Sequence, residues 1–311
     1  SIQRGRHPPQ IRCRNVRRRI MPGHRLALSR MADFLIGHEN LVRGSVFVGL
    51  LTAMGLWETL APRRALTAPR GFRWVNNLAL VAVDAVVLRL GFPMLAVAFA
   101  GLAQQRGWGF FNQVGAPGWL AVLVSFLVLD LVIYAQHRLF HAVPVLWRLH
   151  MVHHADPDLD TSTGIRFHPV EIALSMLIKF AAVALIGAPA VAVLLFEVVL
   201  NGSSIFNHAN VRIPPTVDRW LRRLVVTPDM HRVHHSVAVA ETNSNFGFNF
   251  PWWDRLFGTY RAQPREGHEA MTIGLAQFQD RRRQGLGWML MLPVVGRTGL
   301  YPRRSVPDSA G

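Results

Sequence analysis

Three short stretches, HRLFH at 137–141, HMVHH at 150–154 and HRVHH at 231–235, hold eight of the chain's fourteen histidines. On a helix, residues three and four apart share a face, so His137 pairs with His141. His150, His153 and His154 make a second patch of imidazole, and His231, His234 and His235 a third. Neutral imidazole is a ligand for Fe, Zn, Cu and Ni, and eight such ligands exceed what one ion can take. Two metal ions are therefore expected. No Asp or Glu lies inside any box, and Arg138, Met151 and Arg232 follow the leading histidines. The His-Glu-x-x-His pattern of zinc peptidases is absent, and so is the Glu-rich ligand set of soluble di-iron bundles.

Other residues extend the set. His208, in NHAN, is placed to reach the same cluster as a ninth ligand, and His168, in RFHP, is a candidate for ligation or for helix capping. Asp130, Tyr134, His137 and His141 are spaced four, three and four apart, one stripe along a helix. Asp130 and Tyr134 are the candidate catalytic positions of that stripe. A carboxylate within an apolar segment has a functional or pairing reason, and metal-bound imidazoles commonly donate their other N–H to one; an Arg partner is the alternative for Asp130. Glu171, Asp229 and Glu241 are further acidic candidates. His7, His24, His38 and His268 read as surface residues.

The elements that must position these side chains are apolar. Hydrophobic runs at 41–60, 74–103, 117–136 and 170–206 are separated by segments rich in Arg, Pro and Gly, and several reach the roughly 20 residues that a membrane-crossing helix needs. A first span is expected at about 42–60. The second, 74–103, is interrupted by Asp84, Arg89, Gly91 and Pro93, and reads as one kinked helix or two short ones. The third, 118–136, delivers the chain directly into the first histidine box. The run at 171–202 is broken near Gly187–Pro189 and reads as a helical hairpin, which returns the chain to the side it left. All three boxes then end on one face.

The expected fold is all-α: a polytopic membrane helical bundle of about four spans, including the hairpin, with a histidine-rich helical cap. The loop at 61–73 shares the histidine face and carries Arg63, Arg64, Arg70 and Arg73, beside Arg138, Arg148, Arg166, Arg219, Arg222 and Arg223, whereas 104–116 has only Arg106. By the positive-inside tendency the cap is cytoplasmic. Residues 31–116 form the N-terminal membrane part, 117–262 the catalytic part, and 263–311 a tail whose apolar segment 286–295 is interfacial or packed on the body.

The net charge of +16 invites a nucleic-acid reading, but nine of those charges are arginines within residues 1–30. That leader has no aromatic residue and no binding motif, so no nucleic-acid partner is expected. It also lacks the apolar core of a secretory signal. It reads as a disordered arm or as sequence upstream of a start at Met31. The single cysteine, Cys13, lies in it, which leaves no disulfide or thiolate metal site in the body.

With the boxes placed, residues 115–262 resemble the fatty acid hydroxylase and sterol desaturase superfamily. The likeness rests on DLVIYAQHRLFH, LWRLHMVHH, RFHPVE, NHANV, TPDMHRVHH and the closing NFGFNFPWWDRLFGTY. It implies a membrane oxygenase with two iron ions that uses O2 to hydroxylate or desaturate a lipid. It implies iron ligation by His137, His141, His150, His153, His154, His231, His234 and His235, with His208. Electrons would come from a separate protein, cytochrome b5-like or a ferredoxin with its reductase, since no His-Pro-Gly-Gly stretch of a fused heme domain occurs. An integral location such as a bacterial inner membrane follows. Fatty acid 2-hydroxylases resemble His-x-x-x-His where this chain has Ser204 and His208, which favours the sterol-desaturase-like or alkylglycerol-monooxygenase-like branches. Trp252, Trp253 and Tyr260 are candidate interface anchors, with ordinary packing the alternative. A non-redox membrane metal-binding or structural protein is the competing class; a transporter would need ligands along the spans, not beyond their ends.

Overall fold

A computed structural model describes residues 22–280 and 284–299, with side chains from residue 30 onward. The arginine-rich segment before residue 22, with Cys13 and His7, lies outside the described residues. Helix α1 (Pro22–Gly37) runs through Met31 without a break and leads into α2 (Glu39–Leu60). Then come α3 (Arg70–Gly91), α4 (Ala96–Gln105), α5 (Phe110–Val114), α6 (Gly118–Ala142) and α7 (Pro144–His154). The hairpin is α8 (Pro169–Ile186) and α9 (Ala190–Asn207), followed by α10 (Pro215–Leu221), α11 (Pro228–His234), α12 (Val239–Thr242), α13 (Trp252–Leu256), α14 (Gly267–Ala270) and α15 (Leu286–Val295).

Five segments among the described residues are long and apolar enough to cross a membrane: Glu39–Leu60, Arg70–Val114, Gly118–Ala142, Pro169–Ile186 and Ala190–Asn207. They include both arms of the expected hairpin, each 18 residues by itself. The choice left open at 74–103 resolves as two helices, since α3 ends at Gly91 and Pro93 lies in the gap before α4. Large apolar side chains point outward on these segments, among them Val48, Leu56, Val75, Leu123, Leu177 and Leu185. Such a surface suits contact with lipid.

Ala96, Val97, Ala100, Leu129, Val183, Leu194 and Phe196 interlock α4, α6, α8 and α9 in the bundle core. Gly187 ends α8 with φ 70° and Pro189 precedes α9. Here glycine is required twice: a Cβ on Gly109 would come within 2.1 Å of the Gly187 backbone nitrogen. The turn of the hairpin and the 106–109 loop thus share one end of the bundle, roughly 27 Å along α8 from its first residue at 1.5 Å per residue.

At the other end, loops fuse into a buried polar clamp. Arg73 donates to both Asp156 carboxylate oxygens at 2.7 and 2.8 Å and to Asp160 at 2.5 Å. Asp158 accepts from the backbone of Thr67 and Ala68, and Glu58 from that of Thr161 and Asn210. Burial disfavours the Asp156 charge, but Arg73 and Arg166 beside it prevail and hold its carboxyl below the usual range. The 61–73 loop therefore lies on the histidine end as expected. Its Arg73, with Arg166 and Arg232, is fully buried rather than displayed, so charge counting overstated the basic surface. The apolar segment of the tail is packed on the body: α15 meets Trp147, Met151 and Val152 of α7, and Arg148 donates to the Pro293 and Gly296 carbonyls at 3.0 Å.

Candidate metal centre

His137 and His141 occupy the last turns of α6. Pro144 then starts a new helix, where its missing N–H costs nothing, and α7 presents His150, His153 and His154 back toward α6. His208 is the C-cap residue of α9. Thr227 caps α11, which carries His231, His234 and its own C-cap His235.

All nine histidines are buried and fall into two groups. His137, His141, His150, His154 and His234 form one; His153, His208, His231 and His235 form the other. Within each group the ring nitrogens that could bind an ion lie within 4.8 Å of one another. The sequence boxes are not the groups. Neighbours His153 and His154 point into different groups, as do His234 and His235, so the second and third boxes each serve both.

The donor chemistry fits metal ions. His137 donates from Nδ1 to the Phe246 carbonyl at 2.7 Å, His150 to Glu171 at 2.7 Å, and His153 to the Arg166 carbonyl at 3.1 Å. His208 donates likewise to the Ser204 carbonyl at 2.8 Å and His234 to that of Ser244 at 2.7 Å. A neutral imidazole with its proton on Nδ1 has a bare lone pair on Nε2. In His137, His150 and His234 that Nε2 is buried without a hydrogen-bond partner. In the second group, Nε2 of His208 is 3.1 Å from Nε2 of His153 and 3.1 Å from Nε2 of His231. Lone pairs of His153 and His208 facing each other so closely repel unless a cation lies between them.

Protonation does not supply that cation. Burial pushes His208 and His234 down to about 3, and burial with neighbouring histidines holds His153, His154, His231 and His235 well below the ordinary range. These six imidazoles stay neutral and available as ligands.

The segment 244–246 orients the first group. The Ser244 and Phe246 carbonyls, which accept from His234 and His137, flank Asn245, whose φ of 52° is the one positive value for a non-glycine among the described residues. Asn tolerates this region better than most residues. Its side chain is held by the Met230 and Arg261 carbonyls at 2.9 and 2.8 Å, and by the Arg261 N–H. Asp254 accepts from the N–H groups of Phe246 and Gly247, both at 2.8 Å. Asn245 and Asp254 were not singled out from sequence, where only the unbroken polar-aromatic run NSNFGFNF hinted at an irregular, buried strip.

The other candidates fall as follows. Asp130 accepts from Trp253 Nε1 at 2.7 Å, not from a histidine. Tyr134 donates to Thr259 at 2.8 Å, since the Thr259 hydroxyl is committed to Asp254. Neither lines the cavity described below. The carboxylate that reaches a box histidine is Glu171. His168 caps α8: its Nδ1 accepts from Val170 N–H and its Nε2 donates to the Leu290 carbonyl, so both nitrogens are used and it stands apart from both groups. Asp229 pairs with Arg63 and Arg232, and Glu241 accepts from the Arg265 backbone. His268 is buried, against the surface reading, with Nε2 3.7 Å from Asp229. Ser204, the departure from His-x-x-x-His, donates to the Gly164 carbonyl at 2.6 Å. Trp252 stays half-exposed, stacked on Phe250.

A cavity of about 280 Å³ opens from the first group into the bundle, lined by His137 and His150 at the centre and by Ile133, Phe140, Met176 and Leu200 beyond.

Residues 122–259 match the fatty acid hydroxylase family model. Ornithine lipid hydroxylase OlsE from Rhizobium tropici is 27% identical over 231 residues, 71% of this chain and 67% of its own length. Human alkylglycerol monooxygenase is 31% identical over 165 residues, 51% of this chain and 35% of its own. Methylsterol monooxygenase 2-2 from Arabidopsis thaliana is 26% identical over 164 residues, 51% of this chain and 61% of its own. The chain thus spans about a third of the alkylglycerol monooxygenase it matches. No solved structure matches the chain.

Proposed function

Because residues 122–259 carry a fatty acid hydroxylase domain, we propose that the chain is a membrane-bound lipid oxygenase whose nine buried histidines hold two iron ions. The observation that carries this is the pair of buried histidine groups, five and four strong, the first of which heads a largely apolar cavity through His137 and His150. The named relatives are hydroxylases and monooxygenases of lipids and sterols, and insertion of oxygen into a C–H bond is the reaction assigned here. One oxygen atom of O2 enters the C–H bond, and the other leaves as water with two electrons and two protons from a donor. Bound iron supplies the O2 activation that no side chain provides.

The chain's own residues do the rest. His137 and His150 bring the first group to the cavity wall. Phe140, Met176 and Phe248 give the lipid an apolar surface and keep bulk water away. Glu171 and the carbonyls of Ser244, Phe246, Arg166 and Ser204 fix the imidazole tautomers. Asp130 and Tyr134 serve as anchors for the 252–260 segment instead of touching substrate, and His168 as a helix cap. Electrons come from a separate protein on the cytoplasmic side, and exposed Arg219, Arg223, Arg255 and Arg265 suit an acidic donor.

The test is O2 consumption by detergent-purified, iron-loaded protein with reductant and membrane lipid extract. Lipid-dependent uptake with label from 18O2 in a lipid product is expected. Absence of any lipid-dependent uptake would return the chain to the non-redox metal-binding class.

A further inference from the structure

The cavity that begins at His137 and His150 also reaches Arg43 of α2, Lys179 of α8 and Glu197 of α9. Glu197 takes Lys179 on one carboxylate oxygen and Arg43 on the other. All three belong to membrane-spanning helices, where ionisable side chains mark a substrate path or pair with one another. Pairing accounts for only part of this trio. Two cations share one carboxylate, and among the described residues neither cation has a second acidic partner; Glu39, one turn before Arg43, makes no ion pair with it. The cavity's other carboxylate, Glu171, lies two turns away along α8 and is taken by His150, so within the trio itself one positive charge is left over, an arrangement that costs free energy unless an anion joins it.

Position along the helices places the trio away from the histidines. Lys179 is eight residues beyond Glu171, the partner of His150, and Glu197 is eleven residues before His208. At 1.5 Å per residue this is a separation of roughly 12–16 Å. Leu88, Ile133, Met176 and Leu200 line the space, with Gln136 and Ser175 hydrogen-bonded to each other at 3.1 Å. An extended hydrocarbon advances about 1.25 Å per methylene, from 1.52 Å bonds at about 111°. About ten to thirteen carbons span the gap.

We propose that Arg43, Lys179 and Glu197 form an anchoring site for the anionic group of a lipid, which orients the chain so that carbons ten to thirteen bonds away meet the histidine end. The proposal rests on the lipid-oxygenase reading for its substrate class. Lys179 and Arg43 bind the anion, and Glu197 holds the two cations together and tunes their charge.

The test is equilibrium binding of spin-labelled stearate to the purified full chain in nonionic detergent, without reductant, competed by stearate, stearyl alcohol or acetate. Stearate is expected to compete roughly tenfold better than stearyl alcohol, the scale of a hydrogen bond to a charged group, and acetate not at all. Lys179→Gln and Arg43→Gln remove that preference, whereas Glu197→Gln, which adds positive charge, strengthens it. Equal competition by stearate and stearyl alcohol in the wild-type chain would overturn the proposal, and this comparison needs no variant. So would variants that weaken both competitors alike, the mark of a structural ion pair only, or competition by acetate as strong as by stearate, the mark of a site for small free anions. Because no turnover is involved, a preference for stearate in a chain that never consumes O2 would leave the anchor standing and remove the oxygenase reading alone.

Discussion

Glu171 accepts a hydrogen bond from His150 Nδ1 at 2.7 Å, so a carboxylate on a membrane-spanning helix sets the tautomer of a histidine in the first metal group. Glu171→Gln keeps the size and an acceptor oxygen but removes the charge that makes the imidazole a better donor to metal. Metal affinity is expected to fall roughly 10- to 100-fold, read by competition with a chelator. Unchanged affinity would deny Glu171 that role.

Gly164 bears on the second group in the same way. A Cβ there would lie 2.4 Å from the Ser204 carbonyl oxygen, the acceptor that orients His208, and 3.2 Å from His208 Nδ1. The neighbour is backbone and cannot swing aside. Gly164→Ala is expected to displace His208 and empty the second group while the first keeps its metal; retention of the full metal content would show that the α9 terminus yields at no cost.

Asn245 holds its left-handed backbone between the carbonyls that orient His137 and His234. Asn245→Ala loses the side-chain hydrogen bonds and strains the backbone, for an expected loss of about 1–3 kcal/mol. Asn245→Gly loses only the hydrogen bonds, because glycine adopts positive φ freely. Denaturant midpoints should rank wild type, then Gly, then Ala. The reverse order of the two variants would place the effect in packing, not in the backbone.

The buried histidines also set a pH response in the metal-free chain. His208 and His234 sit at about 3 when folded, against an ordinary 6.5. The unfolded chain therefore binds protons that the folded chain refuses. Stability is complete above 6.5 and is lost as pH falls toward 3, by about 1.4 kcal/mol per pH unit for each such histidine. Metal binding to the folded state should blunt the loss. Denaturation at pH 7 and pH 5, with and without chelator, measures both, and a metal-free chain equally stable at the two values would contradict the assignment.

How much of this was legible in the sequence depends on the range of the interaction. The boxes declare themselves because helical spacing is local, and His208 because it follows an apolar run directly. The hairpin was readable from Gly187 and Pro189. The division of His153 from His154 and of His234 from His235 was not, since it depends on where α6, α9 and α11 stand around α7. Asp130 looked like the natural partner of its own stripe, yet Trp253, 123 residues away, claims it. The partner that a histidine does find is Glu171, brought in by α8 from across the bundle. Arg73 and Arg166 counted as surface charge by composition, and only the folding of the 155–165 loop onto them shows that they are interior. Asn245 required knowledge of the backbone itself.

The central claim is that two groups of histidines hold two separate ions. The most direct measurement is metal per chain in purified, iron-reconstituted protein, for wild type, His234→Ala in the first group and His208→Ala in the second. Two irons in the wild type, with each variant losing its own group's ion and lipid-dependent O2 uptake lost in both, is the predicted result. A single ion per chain, or zinc that iron reconstitution does not displace, would contradict it.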